Sequence, residues 1–140
     1  MSDTSNTQSR NVPIIAEYRE KNGKLSGYYE DSPILLLTTV GRISGKRHTT
    51  PLRYLESDGL VVVFGSAAGN DRDPDWLLNL RKNPLATVEL EAERFEVNAR
   101  ILTGPPRDEL YAKHASRWTQ FIGYQEKTTR IIPAIVLDRV

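Results

Sequence analysis

PILLLTTVGRISGKRHTTPLRYLESDGLVVVF, residues 33–64, sets the folding pattern for the whole chain. Pro33 to Val40 is a largely apolar run too short for an ordinary helix, and it reads as a buried strand. Gly41 and Gly45 bracket a loop. Residues 50–56 follow as a second strand. Ser57-Asp58-Gly59 is a hairpin turn signal, and Leu60 to Phe64, β-branched and aromatic, is a third strand.

The pattern extends in both directions. Thr87–Leu90 and Phe95–Leu102 alternate apolar and polar residues as a hairpin does, and Ile131–Leu137 reads as a last strand. Ile14, Ile15 and Tyr18 give residues 12–22 near-helical spacing, ended by Asn22-Gly23. Asp73-Pro74 predicts a helix start, with Asp as N-cap, and Trp76, Leu77 and Leu80 share one face of the helix Pro74–Lys82. Leu110, Tyr111, His114 and Trp118 mark a helix over Arg107–Trp118; residues 119–129 carry no clear pattern. Six strands and two or three helices, without strict β–α alternation, predict a mostly β (α+β) fold: an antiparallel six-stranded barrel, closed or partly closed, with flanking helices.

Composition bounds the chemistry. The chain has 140 residues, enough for one domain of ordinary size, expected over residues 12–140 behind a flexible polar tail at 1–11. There is no cysteine, so thiol nucleophiles and cysteine-held metal clusters are excluded. His48 and His114 are far apart in sequence, and no metal site is expected. The N-terminal stretch MSDTSNTQSRN lacks an apolar core, so no secretory leader is expected, and no apolar run reaches the length of a membrane span. The expectation is a soluble, cytoplasmic protein without an integral membrane segment.

One stretch stands apart in charge. Residues 38–53 hold Arg42, Lys46, Arg47 and Arg53, two glycines and five hydroxyl residues, and no acid. Glycine lets backbone N–H groups approach an anion, and arginine forks match phosphate geometry. The loop fits a phosphate clamp, although it is not a P-loop, because Gly-x-x-x-x-Gly-Lys-Ser/Thr is absent. A solvated basic hairpin is the competing reading. Net charge is +1 and few aromatics interleave the bases, which weighs against nucleic acid.

GRISGKRHTTP between PILLLTTV and LRYLE resembles the deazaflavin (coenzyme F-420)-dependent nitroreductase family. The resemblance continues through VVVFGSAAGNDRDPDWLLNLRKNP, TVELEAERFEVNARIL and FIGYQEKTTRIIPAIVLDR, covering about residues 12–138. It implies a split β-barrel like that of FMN-binding proteins. It also implies an oxidoreductase that passes hydride from reduced deazaflavin (8-hydroxy-5-deazaflavin) to an activated alkene, quinone or nitro compound. FMN is the alternative cofactor, and a non-catalytic deazaflavin carrier the alternative function.

The same resemblance places phosphate at Arg42 and Arg47, with Lys46 a further cation, and lines the ring with Thr50, Pro51 and Leu52. Ser66, Ala67, Ala68 and Gly69 match the loop beside ring and phosphate, and Trp76 and Asn79 the helix that closes the pocket. Tyr124 is the implied proton donor to a hydrophobic small-molecule substrate, with Ser66 second. Two positions depart from the family: Ala67 stands in a stretch where relatives carry lysine, and Phe121 where a second tyrosine is common. A homodimer is a further option, because small barrels with a half-open cofactor groove often complete it by dimerising, and peripheral attachment to a membrane is another. For several of these residues packing is the simpler reading: Trp76 and Leu80 belong to an amphipathic helix face, and His114 reads as an ordinary helix residue.

Overall fold

The computed structural model describes residues 2–140, with side chains from Arg10 onward. Seven strands form one antiparallel sheet: β1 Ile34–Val40, β2 Arg47–Arg53, β3 Leu55–Ser57, β4 Leu60–Phe64, β5 Leu85–Leu90, β6 Glu93–Leu102 and β7 Ala134–Arg139. Four helices flank it: α1 Ser2–Glu20, α2 Asp75–Lys82, α3 Gly104–Arg117 and α4 Gln120–Lys127.

The strand order, β2-β1-β5-β6-β7-β4-β3, begins and ends on neighbouring pieces of chain. The expected strand at 50–56 starts earlier and breaks at Tyr54, whose N–H bonds Pro33 O rather than continuing a ladder. Its first half pairs with β1 and its second with β4, so one bent strand brings the sheet back onto itself. Counted as one, β2 and β3 restore the six strands expected; counted by hydrogen bonding there are seven. At the hairpin Asp58 and Gly59 both take positive φ, 52° and 82°, as a two-residue type I′ turn requires.

β1 shows why its sequence is apolar on both sides. Leu35 and Leu37 point into the barrel with Val63, Val88, Val97, Ile135 and Leu137. Ile34 and Leu36 point outward and are covered by Tyr18 and Leu25. A strand covered on both faces reads as a continuous hydrophobic run. α2 contributes Trp76, Leu77 and Leu80 to the interior cluster, whereas α3 and α4 cover the outer face of β4 and β7 with Tyr111, Ala115 and Phe121.

Several boundaries differ from the sequence reading. α1 starts at Ser2 rather than residue 12, although Pro13 removes one of its internal donors. Met1 and the side chains of residues 2–9 lie outside the described residues; the backbone of 2–11, expected as a tail, is helical. Propensity favours coil in a Ser/Thr/Asn-rich run, and helical hydrogen bonding propagates back from the packed turn around Tyr18 instead. Asp73 is not the cap of α2. Pro74 holds that position, and Asp73 is drawn into ion pairs with Arg81 and Arg130. Thr103-Gly104-Pro105-Pro106 opens α3 rather than only breaking the chain, since proline suits a first helical turn. The unassigned segment 119–129 contains α4.

Candidate active site

β1 ends and β2 begins around the basic loop, whose base is tied by Gly41 N–H to Lys46 O at 2.7 Å. Lys46 and Arg47 are exposed, and their side chains have no ion-pair partner among the described residues. Arg42 behaves differently. Its guanidinium donates to Asn79 Oδ1 at 3.0 Å and pairs with Asp75 at 3.2 Å, and its backbone N–H also reaches Asn79 Oδ1. Lys82 Nζ donates to Arg42 O at 2.8 Å. Asn79 is almost fully buried and donates in turn to Thr39 Oγ1. The buried polar residue on α2 thus finds its partners within the protein.

Thr50, Pro51 and Leu52 follow on β2, each half-buried, and Leu52 packs against the interior cluster. The strand ends at Arg53. Its guanidinium lies over the Trp118 ring, 4.2 Å from the centroid, and 5.9 Å from that of Tyr29. Six residue steps at about 3.3 Å each put Arg47 and Arg53 roughly 20 Å apart.

The loop after β4 is strained. Ala67 and Ala68 both have positive φ, 44° and 53°, a region that disfavours residues with a Cβ. Gly65 and Gly69 flank them. A Cβ on Gly65 would lie 2.6 Å from Leu77 Cδ2, and one on Gly69 would lie 2.8 Å from Tyr124 O. This loop therefore sits directly on α4. Arg130, which the sequence reading did not single out, clamps it by donating to Ser66 O at 3.0 Å and Asn70 O at 2.8 Å while pairing with Asp73 at 3.1 Å. The Ser66 hydroxyl has no partner among the described residues.

Tyr124 is half-buried, its ring 5.1 Å from that of Phe121. Burial first, then Tyr28, raises its pKa; Arg53 acts the other way, and Tyr29 adds to the rise. The phenol therefore stays protonated at neutral pH and can donate. Phe121 is buried among Phe64, Tyr111, His114 and Tyr124. His114, read from sequence as ordinary, is fully buried. It stacks on Phe64 at 4.5 Å, both ring nitrogens lack a hydrogen-bond partner among the described residues, and burial lowers its pKa to about 4. Phe121 comes from the next helix, but the ring it stacks on, Phe64, comes from a distant strand, which no local signal announces.

Among the described residues no group of three or more His, Asp or Glu side chains could hold a metal, and no helix is long and apolar enough to cross a membrane. A surface groove lined by Glu56, Leu60, Val61, Leu90, Phe95 and Arg139 includes none of the expected site residues.

Residues 10–139 match the family model described as F420H(2)-dependent quinone reductase. An F420H(2)-dependent quinone reductase of Mycobacterium tuberculosis is 33% identical over 133 residues, covering 89% of this chain and 86% of that protein. A solved structure of an F420-H2 dependent reductase, FDR-A, is 31% identical with a TM-score of 0.69, covering 76% of this chain and 94% of that one. A second solved structure, a domain-swapped dimer, is 28% identical with a TM-score of 0.71, covering 93% and 98%. The split-barrel fold and the oxidoreductase class follow, and the cofactor is the deazaflavin F420. The chain belongs to the F420H(2)-dependent quinone reductase family.

Proposed function

We propose that this protein reduces quinones, with the anionic part of F420 held at the start of β2 and the acceptor reduced beside Tyr124. The observation that carries this reading is the acid-free strand β2. It leads from two exposed cations, Lys46 and Arg47, which have no ion-pair partner among the described residues, to a cluster of aromatic rings around a protonated phenol. An elongated cofactor with an anionic tail and a flat redox ring fits such a strand.

Arg47 and Lys46 contribute charge to the anion, and Arg47 adds a fork that can bind two oxygens at once. Arg42 presents one side of its guanidinium, fixed by Asn79 and Asp75, while its backbone N–H is taken by Asn79 and its C=O by Lys82. Asn79 is accordingly a positioning residue, and Trp76 supports it from the interior cluster. Thr50, Pro51, Leu52 and the loop Ser66 to Gly69 form the walls around the ring. The bound cofactor supplies a hydride, which is two electrons with one proton. A second proton completes the hydroquinone; the Tyr124 hydroxyl donates it, and Ser66 is the second candidate for this role. Activated alkenes and nitro compounds fit the same two-electron chemistry. The solved relative that is a domain-swapped dimer supports a dimer here as well, which sedimentation would measure.

The test separates the two ends of the strand. Arg47→Ala should weaken F420 binding by about 1.5–3 kcal/mol, as for a hydrogen bond to a charged group. Tyr124→Phe should leave that affinity within twofold and lower turnover of a naphthoquinone at least tenfold, within the range of about 10²–10⁴ for a positioned acid. Unchanged cofactor affinity in Arg47→Ala would remove the clamp, and unchanged turnover in Tyr124→Phe would move the proton to Ser66 or to water.

A further inference from the structure

Arg53 is the one base of the acid-free run that lies at the aromatic end. Its contacts are few. Nη2 donates to Ser32 Oγ at 3.2 Å, Cζ lies over the Trp118 ring and farther off over that of Tyr29, and no carboxylate partners it among the described residues. Nε is buried with no hydrogen-bond partner among the described residues. A guanidinium has five N–H donors in a fixed fork, and Ser32 takes one. A half-buried cation without a counter-ion is costly, and stacking on an indole offsets only part of that cost.

The surroundings of Arg53 are flat and aromatic. Tyr28 and Tyr29 meet edge to face at 5.0 Å, and Tyr28 is 74% exposed, so it forms an open wall. Trp118, under the Arg53 guanidinium, and Tyr124 pack against the same buried cluster, which contains Phe121. The charge and the phenol that we assign to proton donation therefore border one aromatic cluster, from strand β2 and helix α4.

We propose that Arg53 selects the acceptor: it binds an anionic oxygen carried by a planar aromatic substrate seated among Tyr28, Tyr29, Trp118 and Tyr124. The preferred substrate class is then a quinone bearing an ionised hydroxyl or a carboxylate, ahead of a purely hydrocarbon-substituted quinone. An anionic oxygen gains a charge-assisted bond from the fork, while the ring keeps its stacking. The inference rests on the reading that acceptors are reduced at this site.

The experiment compares 2-hydroxy-1,4-naphthoquinone, whose hydroxyl is ionised at neutral pH, with 2-methyl-1,4-naphthoquinone, both reduced by F420H2. The full chain is tested as parent, Arg53→Met and Arg53→Lys. Methionine keeps an apolar stem without charge; lysine keeps the charge without the fork. We expect the ratio of kcat/KM, hydroxy over methyl, to fall at least tenfold in Arg53→Met, mainly through KM, and to recover in part in Arg53→Lys. A ratio within twofold of the parent in Arg53→Met overturns the proposal and leaves Arg53 as a packing residue on Trp118. A second arm needs no turnover: calorimetric titration of protein saturated with oxidised F420, using 2-naphthoate and 2-naphthamide. The parent should favour the carboxylate and Arg53→Met should not; equal preference in both proteins overturns the proposal. If neither quinone is reduced by the parent, the reductase reading fails, and the calorimetric arm still decides whether Arg53 receives an anion. If Arg53→Met does not fold, Arg53→Lys carries both comparisons, and an unchanged ratio and preference there together with 2-naphthamide bound as tightly as 2-naphthoate by the parent overturns the proposal.

Discussion

His114 shows how far a single residue can depart from its surroundings. A neutral imidazole has one donor and one acceptor, and here both are buried unpaired against Phe64 and Phe121. Its pKa falls from an ordinary 6.5 to about 4, through burial first and then through Arg53 and Arg117. Between those values the unfolded chain binds a proton that the folded chain refuses, so stability rises with pH across that window. The contribution is fully present above pH 6.5 and is lost as pH falls toward 4, on the order of 3 kcal/mol in all. Glu17 and Asp138, whose pKa values are lowered by their hydrogen-bond partners, titrate below most of this window. Urea melts at pH 7.5 and pH 5 should therefore show a clear loss in the parent and a much smaller one in His114→Leu. An equal loss in both would assign the pH dependence elsewhere. The sequence could show His114 on a helix face, but not that the face meets Phe64 and Phe121. The basic run was legible because its signal is local; Arg130 was not, because its clamp on Ser66 and Asn70 spans 64 and 60 positions of chain.

At the scale of elements, α2 and the loop before it set the shape of the site. The amphipathic spacing of Trp76, Leu77 and Leu80 was readable, and all three are buried in the interior cluster. Trp76→Ala should cost about 3–5 kcal/mol in a denaturant melt, as for other large aromatic truncations in a core. A cost below about 1 kcal/mol would mean that the indole is not packed as described. The loop gives the opposite prediction. Ala68 has φ 53° and ψ 32°, a left-handed conformation that costs an alanine about 1–2 kcal/mol relative to its usual regions. Glycine relieves that strain and loses part of the gain to chain entropy. Ala68→Gly should therefore stabilise the protein by up to about 1 kcal/mol. A destabilised Ala68→Gly would show that the methyl group makes contacts worth more than the strain. The cap of α2 was misread because Asp73 looks like an N-cap locally, while two arginines from elsewhere compete for its carboxylate.

For the whole molecule, alternation and turn signals sufficed for the strands and the antiparallel class. The bend at Tyr54 did not announce itself. Residues 50–56 look like one strand because they lie in one extended run, and only the different partners of its two halves, β1 and β4, divide it. The most consequential partner is the last strand. β7 lies between β6 and β4, bonding Ala134, Ile135 and Val136 to both neighbours. Every other strand precedes it in the chain by more than thirty residues. A growing polypeptide can thus make the β1–β2, β3–β4 and β5–β6 hairpins, and pair β1 with β5, as they leave the ribosome, but it cannot join the β3–β4 hairpin to the rest of the sheet until β7 has emerged. Until then Val62, Val63 and Phe64 on one edge and Ala99 and Ile101 on the other are open to other chains. A chain ending at residue 133 should accumulate in inclusion bodies or be degraded, while the full chain is recovered soluble, as fractionation of a cell extract would measure. The speed at which the stretch between β6 and β7 is translated, and the chaperones at hand while it emerges, then decide how much working enzyme each transcript yields.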